Sequence, residues 1–229
     1  MDDKMYPFRC IDCRFKENCI MSLVGKSTNT YNLNNTQIQY LRRQTLCKEG
    51  EFSSSMKLLI EGLAMVLIEG PDKKNIIVNI LKPGDFLGFS AICGEDTFSF
   101  SAIALTDTLV CSIGRTEIVN LIRTDGDFAF NLAQWYCKSY KILFNKLKVN
   151  GFRNLQGRLA DTILTLDNYS DYNIYKYLTR KDIADFAGMP MESAVRILSE
   201  FNENKLIRLE GKSIEILDRK RLEIIKKNG

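Results

Sequence analysis

Residues Leu178–Leu209 read LTRKDIADFAGMPMESAVRILSEFNENKLIRL. Thr179 is a good helix N-cap, and Asp182 three residues later makes a capping-box-like pair with it. A short helix follows, with Ile183, Ala184 and Ala187 on its inner face. Gly188 interrupts it, and glycine suits a tight interhelical turn because the chain there often takes φ > 0. Pro190 fits the first turn of the next helix. That helix buries Ala194, either Val195 or Ile197, Leu198 and Phe201. Glu192, Ser193 and Arg196 stay on or near the opposite face, close to its start. Small residues at 184 and 187 let two helices cross closely. The exposed first turn of the second helix can then enter a major groove, where Arg reaches guanine O6/N7 and Glu accepts from cytosine N4.

The stretch continues into a hairpin. Leu206–Leu209 and Ser213–Leu217 flank Glu210-Gly211-Lys212, with glycine at the turn. A helix pair alone is a common packing unit; a helix pair followed by a hairpin wing is far more specific for DNA binding. Charge distribution agrees. Residues 1–137 hold 14 Lys/Arg against 16 Asp/Glu, whereas residues 138–229 hold 18 against 12, so the C-terminal part is the one suited to a polyanion. The DNA-contacting candidates are Thr179, Arg180, Glu192, Ser193, Val195, Arg196 and Lys212.

Ahead of this element the patterning changes. Leu58–Ile60, Leu63–Ile68, Ile76–Leu81, Phe98–Ala104 and Thr108–Ile113 are short, apolar and partly β-branched. Turn signals separate them at Gly62, Gly70-Pro71-Asp72, Lys82-Pro83-Gly84-Asp85 and Thr106-Asp107. Pro83-Gly84 suits the centre of a type II turn. Many short strands with regular turns imply a sandwich, jelly roll or barrel. Residues 117–149 read as one long helix with a candidate break near Gly126. Two apolar stripes run along it: Phe128, Leu132, Trp135, Ile142 and Val149, and Tyr136, Tyr140, Leu143 and Leu147. One stripe suits the β-domain, and the second suits another copy of the helix; burial of both within one chain is the plainer alternative.

The 229 residues fit two modest domains, with 45% hydrophobic and 26% charged residues. No apolar run reaches membrane-spanning length, and Met1–Cys10 has no signal-peptide core, so a cytoplasmic location is expected. The chain has seven cysteines and no histidine. An odd count argues against a disulfide framework. The lack of histidine removes His-ligated haem, His-containing zinc sites and Ser-His-Asp or Cys-His catalysis. No phosphate-binding glycine loop or second cluster motif supports an enzyme or electron carrier, so a non-enzyme is expected.

Nearly the whole chain resembles the CRP/FNR family of bacterial transcription regulators. KPGDFLGFSAI resembles that family's cyclic-nucleotide-binding-type β-roll, the 117–149 helix its dimerisation helix, and LTRKDIADFAGMPMESAVRIL its recognition motif. The resemblance implies an α+β fold: an arm over 1–22, a β-roll (jelly-roll) sensor over 23–116, a dimerisation helix over 117–149, and a winged helix-turn-helix over 150–229. It implies a homodimer on double-stranded DNA with a two-fold symmetric site, and RNA polymerase as a partner of an activator, with no membrane. Glu192 and Arg196 fall at the family's two base-reading positions, which implies a TGA-type core. Val195 stands where the oxygen-sensing branch has Ser, and Met191 where the nucleotide-binding branch has Arg, so the flanking bases differ. Phe89 and Phe100 replace the Glu and Arg that hold cyclic AMP in the family. A buried cyclic phosphate would go unpaired there, which disfavours cyclic AMP. Phe89, Ser90, Phe100 and Ser101 remain candidates for a different, apolar effector.

Cysteines suggest another signal. Cys10, Cys13 and Cys19 lie in the arm, and Cys111 lies on the last strand, just before the long helix. Four thiolates, three local and one remote, suit an iron–sulfur cluster. The set is similar to the ligands of a 4Fe–4S cluster in the oxygen-sensing branch. Structural zinc on the same four, or redox thiols, are the alternatives. Cys47, Cys93 and Cys137 read as core thiols, with Cys47 a reserve ligand.

Overall fold

The computed structural model describes residues 6–7, 10, 13, 15, 19, 23, 33–71, 74–94 and 96–229. Most of the expected arm over 1–22, and Asp72 of the Gly70-Pro71-Asp72 turn, lie outside the described residues. The chain divides into two compact units, one of residues 1–68 and 80–141 and one of residues 69–79 and 142–229.

Short antiparallel strands build the first unit and continue through residues 69–79 of the second. Strands β1 (Tyr6–Pro7), β2 (Asn35–Tyr40), β3 (Thr45–Cys47), β4 (Ser55–Glu61), β5 (Ala64–Glu69), β6 (Asn75–Leu81) and β7 (Phe86–Leu87) precede a short helix, α1 (Phe89–Cys93). Strands β8 (Ser101–Ala104) and β9 (Thr108–Gly114) follow. They form two sheets, in the orders β1-β2-β9-β4-β7 and β3-β8-β5-β6, the jelly-roll arrangement expected. The Lys82–Asp85 turn closes with Asp85 N–H donating to the Lys82 carbonyl at 3.0 Å, and Gly84 takes φ 94°, as a type II turn requires.

One expectation for this unit needs correction, and two of its elements carried no sequence signal. The strand expected over Phe98–Ala104 begins only at Ser101, because Phe98 pairs irregularly with Gly50 and Glu51. Both β2 and α1 went unread. The helix expected over 117–149 does break near Gly126, the candidate position, into α2 (Arg115–Thr124) and α3 (Gly126–Phe152). Asp125 makes the break: it is buried, and its side chain accepts from the Phe128 N–H at 2.8 Å, supplying the start of α3 with a cap. Phe128 and Leu132 are buried in the core with Ile118 and Leu121 of α2.

The second unit carries α4 (Leu155–Asp167), α5 (Arg180–Ala187), α6 (Met191–Glu203), strands β10 (Ile207–Glu210) and β11 (Ser213–Ile216), and α7 (Arg219–Asn228). Thr179 and Asp182 form the full capping box that opens α5. Gly188 ends it with φ 63°. Pro190 sits one position earlier than expected, at the N-cap of α6 with φ −60° and ψ 144°. Ile183, Ala184, Ala187, Ala194, Ile197, Leu198 and Phe201 are all buried. Of the pair left open, Ile197 is the core residue and Val195 is exposed. Among the described residues no helix is long and apolar enough to cross a membrane.

Candidate functional sites

Two sites take shape, one in each unit. The first is a cavity in which Cys10, Cys13, Cys19 and Cys111 all take part. Its floor follows from the two-residue period of strands. Gln37 of β2 and Leu58 of β4 lie directly opposite Cys111 of β9, on its two sides, so the three side chains share a face. Asn35 and Ile113 extend the face two positions one way and Ile60 lies two positions the other way, and all three line the cavity. Cys10, Cys13 and Cys19, with Phe15, complete the lining.

Among the described residues, no Lys, Arg, Asp or Glu lines this cavity. Burial pushes the Cys111 thiol up to about 12, and Cys10, Cys19 and Cys13 add to the shift because each disfavours a second thiolate nearby. Burial also raises the Cys10 thiol; the Asn35 amide opposes it, its Nδ2 donating to the Cys10 sulfur at 3.2 Å. Such thiols need a bound cation to become thiolates together. Among the described residues, no three Cys, Asp or Glu side chains converge closely enough to hold a single metal ion as they stand. Four thiols around one cavity are nonetheless a soft donor set of the kind that iron–sulfur clusters and zinc select. The residues next to the cavity reach α3: Asn131 Nδ2 donates to the Leu23 carbonyl at 3.0 Å.

The other cysteines divide. Cys47 is buried, as a core thiol should be, but it does not line the cavity. Cys93 and Cys137, also expected in the core, are exposed. Cys93 ends the five-residue α1, and Cys137 falls outside both apolar stripes of α3.

The effector candidates scatter within the roll. Phe89 packs edge-on against Tyr136 of α3 at 5.4 Å between ring centroids, and Phe100 tilts against Phe98 at 6.3 Å. Ser90 is half-buried on α1. Ser101 is buried, and its hydroxyl accepts from the Glu49 N–H at 3.0 Å. Lys57 of β4 is a cation that went unread. Its ammonium donates to the Leu46 carbonyl, lies 5.7 Å from the Phe98 ring, and has its pKa lowered by burial.

The second site is the outer face of α6. Met191, Glu192, Val195 and Arg196 are exposed and Ser193 is half-buried, while Ala194, Ile197 and Leu198 point inward. The guanidinium of Arg196 meets Glu200 at 2.5 Å, and the other Glu200 oxygen accepts from Gln156 at 3.2 Å. Glu200 and Gln156 therefore orient Arg196, the candidate base reader, and neither was among the residues singled out from sequence. Arg180 is placed otherwise than as a free contact: its guanidinium donates to the Gly211 carbonyl at 2.7 Å and to the Lys212 carbonyl at 3.5 Å. It braces the wing turn against the start of α5. The wing pairs Glu210 with Ser213 across Gly211 and Lys212, Gly211 takes φ 58°, and Lys212 is exposed at the tip.

Comparison with known proteins accounts for both units. Residues 37–125 match the cyclic nucleotide-binding domain family, and residues 157–225 match the Crp-like helix-turn-helix domain family. The chain is 25% identical over 195 residues to the transcriptional activatory protein AadR of Rhodopseudomonas palustris, covering 82% of this chain and 80% of that protein. It is 26% identical over 184 residues to the cAMP-activated global transcriptional regulator CRP of Salmonella typhimurium, covering 78% and 88%. Its fold is shared with FixK2 of Bradyrhizobium japonicum at a TM-score of 0.73 and 20% identity, over 84% of this chain and 98% of that one. A β-roll, a long helix and a winged helix-turn-helix in this order, matched by both domain families, make the chain a DNA-binding transcription regulator of the CRP/FNR family.

Proposed function

We propose that this regulator responds to oxygen or redox state, with Cys10, Cys13, Cys19 and Cys111 as the ligands of a 4Fe–4S cluster, and that it reads two-fold symmetric DNA as a homodimer. The observation that carries the sensing half is the meeting of these four thiols, from opposite ends of the first unit's sequence, on one cavity. When bound, a cluster of this kind supplies an oxygen-sensitive iron centre. The chain's own residues do the rest. Cys111 is held in register on both sides by β2 and β4. Asn35 offers an N–H to the Cys10 sulfur, the type of outer contact that tunes a thiolate ligand. Asn131 fastens Leu23, just beyond the arm, to α3.

For the dimer, α3 offers a face. Tyr136, Tyr140, Phe144 and Leu147 are 40%, 51%, 55% and 61% exposed, an apolar stripe that a second copy of the helix would bury. A dimer places two α6 helices on two half-sites, and loss of the dimer forfeits the bivalent grip. An activating role, which the name of the Rhodopseudomonas relative carries, would bring RNA polymerase as a further partner.

Cyclic AMP, which the name of the Salmonella relative carries, suits this roll poorly. Phe89 and Phe100 stand at the positions matched to the polar ligands, the Ser101 hydroxyl already serves Glu49, and the Lys57 ammonium already serves the Leu46 carbonyl.

Anaerobic purification with iron and sulfide analysis tests the sensing half. A brown protein with about four iron and four sulfide per chain, bleaching in air, is the expected result; Cys111→Ser abolishes it. A colourless protein with one zinc, or metal-free thiols that oxidise reversibly, overturns it.

A further inference from the structure

The end of α5 leaves carbonyls that the helix cannot satisfy itself. The Gly188 N–H returns to Asp185 and the Met189 N–H to Ala184. The Phe186 carbonyl is served from outside: the Lys146 ammonium of α3 donates to it, and stands 4.0 Å from the centroid of the Phe186 ring. Two residues on, the Gly188 carbonyl accepts from Arg158 of α4 at 3.2 Å, and Arg158 Nε is itself held by the Arg153 carbonyl at 2.9 Å. Asn150 of α3 lies so near Gly188 that a Cβ there would meet its amide at 3.0 Å. Two cations thus hold the turn between α5 and α6, and an amide packs against it. Two of these three side chains belong to the last part of α3.

Lys146 is an expensive way to fill that position. It is only 9% exposed. Burial lowers its pKa to about 8, with Asp161 of α4 acting in the other direction. Asp161 in turn meets Lys226 of α7 at 3.1 Å, and Asp185 of α5 is taken by Lys181 at 2.8 Å. An apolar chain of similar length would fill the same space without desolvating a charge. What the ammonium adds is a donor and a positive charge at the carboxyl end of α5, where the helix dipole favours a cation.

We infer that Lys146 is a positioning residue for DNA recognition: from the end of α3 its ammonium sets the α5–α6 turn, and with it the angle at which α6 presents Glu192 and Arg196. The inference rests on the family's DNA-binding role and is independent of any cofactor. It has a signature in pH. Sequence reading depends on the protonated amine, so it weakens as pH rises through about 8. Folding stability moves the other way. The folded-state pKa lies below the ordinary value of 10.5, so between the two values the unfolded chain binds more protons and stability from this group rises with pH.

The test uses a duplex enriched from a random pool by the wild-type protein, and a scrambled duplex of equal length. Affinities for both are measured by fluorescence anisotropy at fixed salt, from about pH 6.5 to about pH 9.5. Wild type is expected to lose about tenfold in the selected-to-scrambled ratio across this range. Lys146→Met is expected to show the reduced ratio at every pH, with a melting temperature near pH 7 no lower than that of wild type. Lys146→Arg, which keeps its charge throughout, is expected to show no step. A Lys146→Met protein with the wild-type ratio and pH step overturns the inference, as does equal weakening on both duplexes. Should Lys146→Met not fold, the wild-type profile decides, and a flat ratio overturns it.

Discussion

Arg196 shows how little binding energy separates a resting side chain from a reading one. Its partner at rest is Glu200 at 2.5 Å on an exposed helix face. A surface ion pair of this type is worth about 0–1 kcal/mol. A bidentate bond to guanine discriminates by about 1–3 kcal/mol, more than the ion pair with Glu200 would hold back if Arg196 is a base reader. Arg196→Ala is therefore expected to cost about 1–3 kcal/mol and to relax preference at one base pair per half-site. Binding-site selection on the variant measures this, and an unchanged site would remove Arg196 from the reading set. The outward placement of residue 196 was legible because helical period and capping are local properties. Lys57 and Lys146 were not legible. A lysine in sequence reads as a solvated charge; only tertiary packing puts one beside Phe98 and the other beneath Phe186.

Among the elements, the turn from α5 to α6 is the most tightly specified. Gly188 needs its left-handed backbone, at φ 63°, and its missing Cβ, with Asn150 alongside. Gly188→Ala is expected to destabilise the protein by about 1–2 kcal/mol, because a left-handed conformation costs a Cβ-bearing residue roughly that much. Gly188→Asn, which tolerates the conformation better, separates backbone strain from crowding. Denaturant unfolding of both measures it, and a Gly188→Ala protein as stable as wild type would show that the turn relaxes. The turn was readable because glycine, proline and a capping box announce it. Strand β2 was not. NTQIQY gives its inward face to Asn35 and Gln37 on the thiol cavity, so the usual alternation of apolar and polar residues is missing. Helix α1, five residues long, is too short for a helical period to show.

At the scale of the whole molecule, the exposed stripe of α3 should decide the oligomeric state. Leu147 is 61% exposed, so Leu147→Asp leaves a single folded chain undisturbed while burying a charge in any α3–α3 contact. Sedimentation equilibrium is expected to show dimer affinity reduced by at least about tenfold, with unchanged thermal stability of the monomer. A dimer as tight as wild type would place the interface elsewhere. The two stripes were visible as periodicity, but which of them faces solvent was not; Ile142, assigned to the inner stripe, is 44% exposed.

The order in which the thiol cavity can form follows from the strand pairing. Its floor joins β2 to β9, with Asn35 opposite Ile113, and everything from β3 to β8 must be made in between. Pairings this distant in sequence close late, since loop entropy must be overcome first. During synthesis Cys10, Cys13 and Cys19 leave the ribosome long before Cys111. The four-thiol site then has no existence in a nascent or partly folded chain, and whatever it binds selects for a completed roll. Anything that fills the cavity acts as a seal on finished molecules, raising the free energy needed to reopen the sheet by mass action, and chains damaged in the roll lose ligand and structure together.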